Sequence, residues 1–284
     1  DTTVPPPVPT LAFDADLVTK YDGYGPRYTS YPTADRFHDG FGPTQYVDAI
    51  AERNATRGDH PLSLYVHIPF CNTVCYYCAC NKVLTKDHGR SAKYIRYVER
   101  EIGMVGALVE GAPPVVQLHW GGGTPTFLSR DEMTTRMRAL RGSFSFAADA
   151  EISIEVDPRK VSAETIGFLG ELGFNRISVG IQDFDPEVQA AVNRIQSEEE
   201  TRTVIDAARR SGFVSVNADL IYGLPRQTVA GFSTTLDRVI DASPDRIALY
   251  SYAHVPHLFK PQRRIATADL PPPHAKLAIL ALAI

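Results

Sequence analysis

Apolar, β-rich segments alternate with helical segments from residue 62 almost to the end of the chain. Most of the β-rich segments are apolar throughout, which is typical of strands that are buried on both faces. Six successive strand–helix units favour a parallel sheet, either an incomplete barrel or a doubly wound sheet. The predicted strands are Leu62–His67, Val115–Trp120, Ile152–Val156, Arg176–Ile181, Val214–Tyr222 and Arg246–Tyr252.

The segments between these strands predict helices, with Ser162 as an N-cap and Gly173 as a stop signal. A short helix is also expected at Pro43–Arg57, before the first strand, and a last one from about Pro273. The helices between strands are predicted at Ser91–Leu108, Arg130–Leu140, Ala163–Leu172, Pro186–Arg194, Glu198–Ser211 and Val229–Ala242.

These elements divide the chain into three predicted regions. Residues 1–61 form an arm and a short helix, residues 62–260 form the barrel, and residues 261–284 begin a C-terminal region. The last stretch, Ala275–Ile284, is an apolar helix without a polar end. Because helices usually end on capping or polar residues, we expect that a C-terminal portion is missing.

Composition excludes some classes of partner. The formal net charge is −4, so no general basic field points to nucleic acid. The longest apolar run, LAILALAI, is too short to span a bilayer. The polar, proline-rich start does not resemble a signal peptide, and clustered free cysteines favour a reducing compartment. We therefore expect a cytoplasmic protein without a membrane span. A monomer is a separate expectation.

Polar or special residues follow every predicted strand. In a barrel the carboxyl ends of the strands meet at one face, where catalytic groups lie. The six strand ends therefore predict one shared site. In chain order they carry the cysteines, the Gly121–Pro125 segment, Glu155 with Asp157, Gln182 with Asp183, Asp219 with Tyr222, and Tyr252 to His254.

All four cysteines of the chain lie within ten residues, at Cys71, Cys75, Cys78 and Cys80. Three of them, at C-x3-C-x2-C spacing, could ligate three irons of a [4Fe–4S] cluster and leave the fourth iron open. Structural zinc bound by all four thiolates remains an alternative. A redox disulfide is a weaker one, because the C-x2-C pair belongs to a wider cluster of cysteines.

The other strand-end residues each have a structural alternative. The glycine triplet is not a P-loop and could be only a tight turn. Glu155, Gln182 and Asp219 could merely cap loops, although Glu155 could receive an ammonium group and Asp219 could bind hydroxyls. Arg194 could be a cation at a helix C-terminus. Tyr65 shares a face of the first strand with a histidine and could point into the barrel.

The cysteine spacing, followed by a glycine-rich second strand end, is similar to the radical S-adenosylmethionine superfamily. Longer runs resemble its oxygen-independent coproporphyrinogen III oxidase family, from about residue 21 to the last residue. These runs are GPRYTSYPTADRF, YVHIPFCNTVCYYCACNK, LHWGGGTPTFL, EISIEVDP, NRISVGIQDF, VNADLIYGLP and SYAHVP.

The resemblance implies an incomplete (β/α)6 three-quarter barrel with a [4Fe–4S] cluster on Cys71, Cys75 and Cys78. One S-adenosylmethionine would chelate the open iron, and a second molecule would bind nearby. The positions that match cofactor contacts in the family are Tyr65, Tyr77, Gly122, Gly123, Thr124, Glu155, Gln182, Arg194, Asp219 and Ala253. Ile195 departs from the family pattern, because an acidic residue is expected after the arginine, and this puts an ion pair at that point in doubt.

The resemblance also implies the reaction. A 5′-deoxyadenosyl radical takes a hydrogen from a propionate of coproporphyrinogen III, and loss of carbon dioxide and one electron leaves a vinyl group. Two such steps give protoporphyrinogen IX in haem biosynthesis. A flavodoxin or a ferredoxin would supply low-potential electrons. The alternative is a related haem-delivery chaperone, which lacks Cys80 and the Tyr28–Pro32 arm that this chain has.

Substrate-side residues are expected in the N-terminal arm and beside the cluster. The substrate is flat and anionic, which suits an arm rich in tyrosine and arginine. Arg27 and Arg36 are therefore candidates to bind propionates, and Cys80 is a further candidate for a role in the reaction.

Overall fold

A computed structural model of the protein describes residues 13–21 and 32–284. Arg27 and most of the tyrosine-rich arm lie outside these residues. In chain order the elements are α1 (Ala15–Tyr21), α2 (Pro43–Arg57), β1 (Leu62–Ile68), β2 (Phe70–Cys71), β3 (Val83–Leu84), α3 (Gly89–Leu108), β4 (Val115–Gly122), α4 (Arg130–Ser143), β5 (Phe146–Val156), α5 (Ala163–Glu171), β6 (Arg176–Gln182), α6 (Pro186–Ala191), α7 (Glu198–Arg210), β7 (Ser215–Tyr222), α8 (Val229–Asp241), β8 (Arg246–Ser251) and α9 (Pro273–Ala283).

The main sheet has six parallel strands in the order β1-β4-β5-β6-β7-β8. This is the order of the strands along the chain. A doubly wound sheet would reverse its order at a switch point, so the prediction of an incomplete barrel is confirmed over the alternative. Every predicted strand is present, but β5 begins at Phe146, six residues before the predicted start, where its first residues are largely exposed. The short parallel pair of β2 and β3 is an addition that the sequence pattern did not indicate.

The two faces of the sheet differ in polarity. Apolar side chains such as Ile68, Trp120 and Val179 point towards the helices and are fully buried in one core. The opposite, concave face carries polar side chains that are partly exposed, among them Ser153, Ser178, Asn217 and Asp219. The expectation that both faces of the strands are buried is therefore wrong, because polar side chains interrupt the apolar runs at every second position.

The helices cover the apolar face and close it against water. Ser162 caps α5 by accepting a hydrogen bond from the amide of Thr165, and Gly173 has a φ of +95° just after this helix, so both predictions are confirmed. Helix α9 packs against α8 and β7, and its Ile279 is fully buried in the main core. Across residues 13–21 and 32–284, no helix combines the length and the apolar character that crossing a membrane requires.

A buried carboxylate joins the ends of β6 and β7. Asp183 is 2% exposed, and its oxygens accept hydrogen bonds from Thr235 Oγ1 and Gln227 Nε2, both at 2.6 Å. It also accepts from the amide of Asp185 at 2.8 Å. Gln227 in turn accepts from the amide of Gly223. Burial raises the pKa of Asp183, although these donors act in the opposite direction. This network fixes the loops that follow both strands.

Replacing Asp183 with alanine should lower the free energy of unfolding by about 3 kcal/mol, since three buried donors would lose their acceptor. Urea unfolding followed by the fluorescence of Trp120, the single tryptophan, measures this change. Asp206→Ala, at an exposed position of α7, is the matched control and should change stability by less than about 0.5 kcal/mol. Equal stabilities of the two variants would contradict the assigned role of Asp183.

Candidate active site

The loop after β1 carries the four cysteines and is closed at its base by backbone hydrogen bonds. Residues Phe70 and Cys71 pair in register with Val83 and Leu84. The amide of Val83 donates to the carbonyl of Pro69 at 2.7 Å, and that of Thr85 donates to the carbonyl of Cys71 at 3.0 Å. The loop therefore starts and ends at one point, beside the carboxyl end of β1.

A second, smaller apolar cluster supports the middle of this loop. Tyr76 and Tyr77 pack against the residues of this cluster, which are Val188, Val192, Leu224, Tyr252 and Ile265. The amide of Tyr76 donates to the carbonyl of Val192 at 2.9 Å. Asn193 Nδ2 donates to the carbonyl of Val74 at 2.7 Å, and Gln262 Nε2 donates to that of Tyr77 at 3.1 Å. The positions of the cysteines thus depend on segments far away in the sequence.

One cavity of about 300 Å³ lies at the carboxyl ends of the strands. It is lined by most of the residues that the sequence predicted, and the separate strand ends do converge on it. These are Cys71, Cys75, Tyr77, Cys78, Cys80, Gly122, Gly123, Thr124, Glu155, Gln182, Arg194 and Asp219. Tyr65 and Ala253 are not among the lining residues, so their predicted cofactor contacts remain predictions.

Three of the thiols share one space, although they do not form a compact site for a single metal ion. A tetrahedral zinc site, with Zn–S bonds of about 2.3 Å, would hold its sulfurs roughly 4 Å apart. Among the described residues, no three His, Cys, Asp or Glu side chains are grouped closely enough to hold one metal ion. Cys71, Cys75 and Cys78 nevertheless line the same cavity.

Cys78 and Cys80 form an unequal pair. The hydrogen bond from Cys80, helped by Lys82, lowers the pKa of Cys78 to about 6, although burial opposes this. The same hydrogen bond raises the pKa of Cys80, so Cys80 keeps its proton and acts as the donor. Lys82 Nζ also donates to the carbonyls of Cys78 and Cys80, at 3.1 and 3.3 Å. Cys78 is therefore the more acidic thiol of the two.

Two guanidinium groups converge on Cys75. Arg194 Nη1 lies 3.6 Å and Arg159 Nη2 lies 3.8 Å from its sulfur. Asp157 orients both of them: Arg159 donates two hydrogen bonds to this carboxylate, at 2.9 and 2.6 Å, and Arg194 lies 3.5 Å from it. Arg159 and Arg194 hold the pKa of Asp157 below its usual value against the effect of burial.

Arg194 is 6% exposed, so it is not a solvated helix-end cation. Its Nη2 donates to the carbonyl of Gly180 at 2.7 Å. The ion pair that Ile195 put in doubt is made instead with Asp157, while Ile195 is 65% exposed. An acid at the next position is therefore not needed to fix this arginine.

The glycine triplet lets β4 approach the cysteine loop. A Cβ on Gly123 would lie 2.8 Å from the backbone of Pro69 and 2.9 Å from Cys71 Sγ. Gly122 has a φ of +116°, and a Cβ there would lie 2.7 Å from the ring of His67. These contacts are shorter than any side chain tolerates. The segment is therefore more than a tight turn, because it brings backbone groups to the wall of the cavity.

Two carboxylates face the cavity with different surroundings. Glu155 accepts from the amide of Gly122 at 3.1 Å and contacts His119 Nε2 at 3.2 Å, with its side chain still 43% exposed. Asp219 accepts from Ser178 Oγ and Asn217 Nδ2, both at 2.8 Å. Burial, and then the nearby Glu155, raise the pKa of Asp219 to about 6. Both groups keep lone pairs for a ligand.

Gln182 has an unusual backbone conformation for a residue other than glycine. Its φ is +69°, and the pairing of β6 with β7 shifts between Gly180 and Gln182. Such a conformation costs about 1 kcal/mol and persists where the surroundings enforce it. The adjacent Asp183 network supplies that constraint and turns Gln182 towards the cavity.

Tyr65 and His67 lie on the concave face of β1, as the period of two predicts. Tyr65 Oη lies 2.8 Å from His67 Nδ1, and His67 Nε2 lies 2.9 Å from the carbonyl of Asn81. The Tyr65 ring stacks on His119, with ring centroids 5.9 Å apart. These rings form a polar and aromatic floor next to the cavity.

Arg159, Lys82 and His88 line the cavity but were not predicted from the sequence. Arg159 follows Asp157 by two residues, so the same strand-end argument that selected its neighbour could have found it. Lys82 and His88 lie after the cysteine loop, where no strand end marks them.

Comparisons with known proteins relate the chain to a family and to curated sequences. The family model for the radical SAM superfamily matches residues 65–239. Oxygen-independent coproporphyrinogen III oxidase from Pseudomonas aeruginosa is 54% identical over 273 residues, which are 95% of this chain and 59% of that protein. The Escherichia coli protein of the same name is 48% identical over 273 residues, 96% of this chain and 59% of that protein.

A solved structure agrees with the sequence comparisons. The structure of coproporphyrinogen III oxidase from Escherichia coli, described as a radical SAM enzyme, superposes with a TM-score of 0.88 at 47% identity. It covers 96% of this chain, and this chain spans about 60% of its length. The family model alone extends over more than half of the chain. The chain therefore belongs to the radical SAM superfamily.

Proposed function

We propose that the protein is an oxygen-independent coproporphyrinogen III oxidase, which converts two propionates of its substrate to vinyl groups and gives protoporphyrinogen IX. The observation that carries this proposal is the convergence of three cysteines and the polar strand ends on one cavity. Relatives that are about half identical to the chain carry this name. Because the chain spans about 60% of their length, its activity and substrate are proposals.

The residues of the cavity fit the cofactors that the superfamily implies. Cys71, Cys75 and Cys78 would hold a [4Fe–4S] cluster, and Glu155 and Asp219 would receive the ammonium and hydroxyl groups of S-adenosylmethionine. When bound, cluster and S-adenosylmethionine supply a 5′-deoxyadenosyl radical that takes a hydrogen from the substrate. We further propose that a second S-adenosylmethionine binds along Gly123 and Thr124.

Arginine residues supply positive charge to this cavity, and glycine residues leave space in it for a ligand. Arg194 and Arg159 place their guanidinium groups beside the sulfur of Cys75. The backbone of the glycine triplet leaves room for a ligand where a side chain would block it. The concave face, with Tyr65 and His119, offers polar and aromatic groups to a tetrapyrrole. Substrate binding by Arg27 and by Arg36, which is exposed, completes the proposal.

The proposal also covers the cellular compartment, the oligomeric state and the electron donor. We propose that the protein works in the cytoplasm as a monomer and receives electrons from a flavodoxin or a ferredoxin. The haem-delivery alternative is not favoured, since the relatives compared above are named as oxidases. Cys80, which the chaperone lacks, lines the same cavity as the three proposed ligands.

An anaerobic assay with coproporphyrinogen III, reductant and S-adenosylmethionine tests the proposed reaction. We expect protoporphyrinogen IX and 5′-deoxyadenosine to form together, and neither to form with Cys78→Ala. A cluster that cleaves S-adenosylmethionine but leaves coproporphyrinogen III unchanged would overturn the proposed substrate. Stable haem binding by the same preparation would favour the delivery alternative.

The four cysteines should differ in their effect on metal content. After anaerobic reconstitution, the wild type should hold about four irons per chain, the content of one [4Fe–4S] cluster. Cys71→Ala, Cys75→Ala and Cys78→Ala should lose most of this iron. Cys80→Ala should retain it, because Cys80 lies outside the C-x3-C-x2-C spacing of the three proposed ligands. Iron, sulfide and zinc analyses measure the outcome, and zinc without iron would contradict the cluster.

The affinity for S-adenosylmethionine should depend on pH through Asp219. The pKa of this carboxyl is raised to about 6, so it is neutral below that pH and ionised above it. An ionised acceptor binds a hydroxyl more strongly than a neutral one, so affinity should rise about fivefold between pH 5 and pH 7. Calorimetric titrations of the cluster-loaded protein measure this. Asp219→Asn should remove this rise, and an unchanged pH profile in that variant would refute the role of Asp219.

A further inference from the structure

The segment that follows the cysteine loop is basic in a chain that is acidic overall. From Lys82 to Tyr97 it holds five lysine or arginine residues and one acidic residue, a net charge of +4, whereas the whole chain carries −4. Lys86, Arg90 and Lys93 are exposed. None of these three side chains takes part in a salt bridge with another described residue.

The same surface also exposes apolar groups. Leu84 is 47% exposed and Tyr97 is 61% exposed. Arg90, Lys93 and Tyr97 follow one another at intervals of three and four residues, so they lie on one face of α3. The opposite face of this helix carries the buried residues Ile95, Val98 and Ile102. We call the exposed surface of Leu84, Lys86, Arg90, Lys93 and Tyr97 the basic face.

The start of α3 contradicts the usual rules for a helix N-terminus. It has no acidic residue in its first turn, where Arg90 lies instead, and the nearest acidic residue in the sequence is Asp87 before the helix, which accepts from the amide of Gly89 at 2.9 Å. Because the N-terminal end of a helix carries partial positive charge, a cation at this point is locally unfavourable. The helices α4 and α7 begin with a serine cap and acidic residues. The positive charge of Arg90 therefore does not help to stabilise this end of the helix.

The basic face adjoins the cluster ligands through the backbone. Leu84 pairs in register with Cys71, and the amide of Thr85 donates to the carbonyl of Cys71 at 3.0 Å. The exposed side chain of Leu84 therefore belongs to a strand that is hydrogen-bonded directly to the backbone of Cys71. Exposed Lys86 follows Leu84 by two residues, so positive charge lies next to this point.

We propose that the basic face is the docking surface for an acidic protein that carries single electrons. Opposite charges speed the encounter, and an apolar contact at Leu84 and Tyr97 completes the interface. One electron passes from the reduced partner to the cluster, so the partner is oxidised by one electron and no bond is made or broken. This inference rests on the proposed function only in requiring a cluster that must be reduced.

Charge reversal at Arg90 and Lys93 tests the docking surface. Arg90→Glu/Lys93→Glu should not unfold α3, because acidic residues near a helix N-terminus are favourable. The matched control, Arg138→Glu/Arg210→Glu, makes the same change of charge at exposed positions of α4 and α7. Anaerobic stopped-flow absorbance then follows cluster reduction by an acidic flavodoxin and, separately, by photoreduced deazaflavin, at several salt concentrations.

With flavodoxin, the wild type and the control should be reduced quickly at low salt and more slowly as salt is added. The Arg90→Glu/Lys93→Glu variant should be slower by about tenfold or more at low salt, with little salt dependence. Deazaflavin should reduce all three proteins at the same rate. Equal rates with flavodoxin, or an equal loss in the control, would overturn the docking surface. Because the readout is cluster reduction, it remains decisive even if coproporphyrinogen III is not the substrate.

Discussion

The parallel pairing of β1 with β4 is the constraint on which the site depends. The ladder runs in register as far as Ile68 and Gly122, and it continues as a hydrogen bond from the amide of Gly123 to the carbonyl of Ile68. At that point the two chains are too close for any side chain on Gly123. The same closeness places Cys71 against the glycine backbone. The remaining strands extend this edge, so that each contributes its last residues to one cavity.

Much of this arrangement follows from the sequence, because it depends on local patterns. Apolar runs separated by helical segments predict the strands, and their shared direction predicts that Glu155, Gln182 and Asp219 meet. The cysteine spacing predicts a loop around one inorganic group. This argument does not extend to Tyr65, which shares a strand face, or to Ala253, which follows a strand end. Neither residue lines the cavity.

Residues that act through distant partners were harder to predict. The sequence left open that Arg194 is only a helix-end cation, but its environment is set by Asp157, just after β5, and by Gly180 of β6. The sequence pattern also does not reveal the polarity of the concave face. A strand with a polar residue at every second position is easily mistaken for one that is apolar on both faces. Local propensity describes how a segment folds, whereas the role of a buried charge depends on what the fold brings beside it.

The Asp183 network has a consequence for the order in which the protein assembles. Its partners Gln227 and Thr235 lie 44 and 52 residues further along the chain, so the network closes only after β7 and α8 have joined the sheet. Contacts of such long sequence separation form late in folding, because they carry a large loop-closure entropy. Gln182 acquires its conformation from this network. We therefore expect metal loading to follow folding of the barrel rather than to nucleate it.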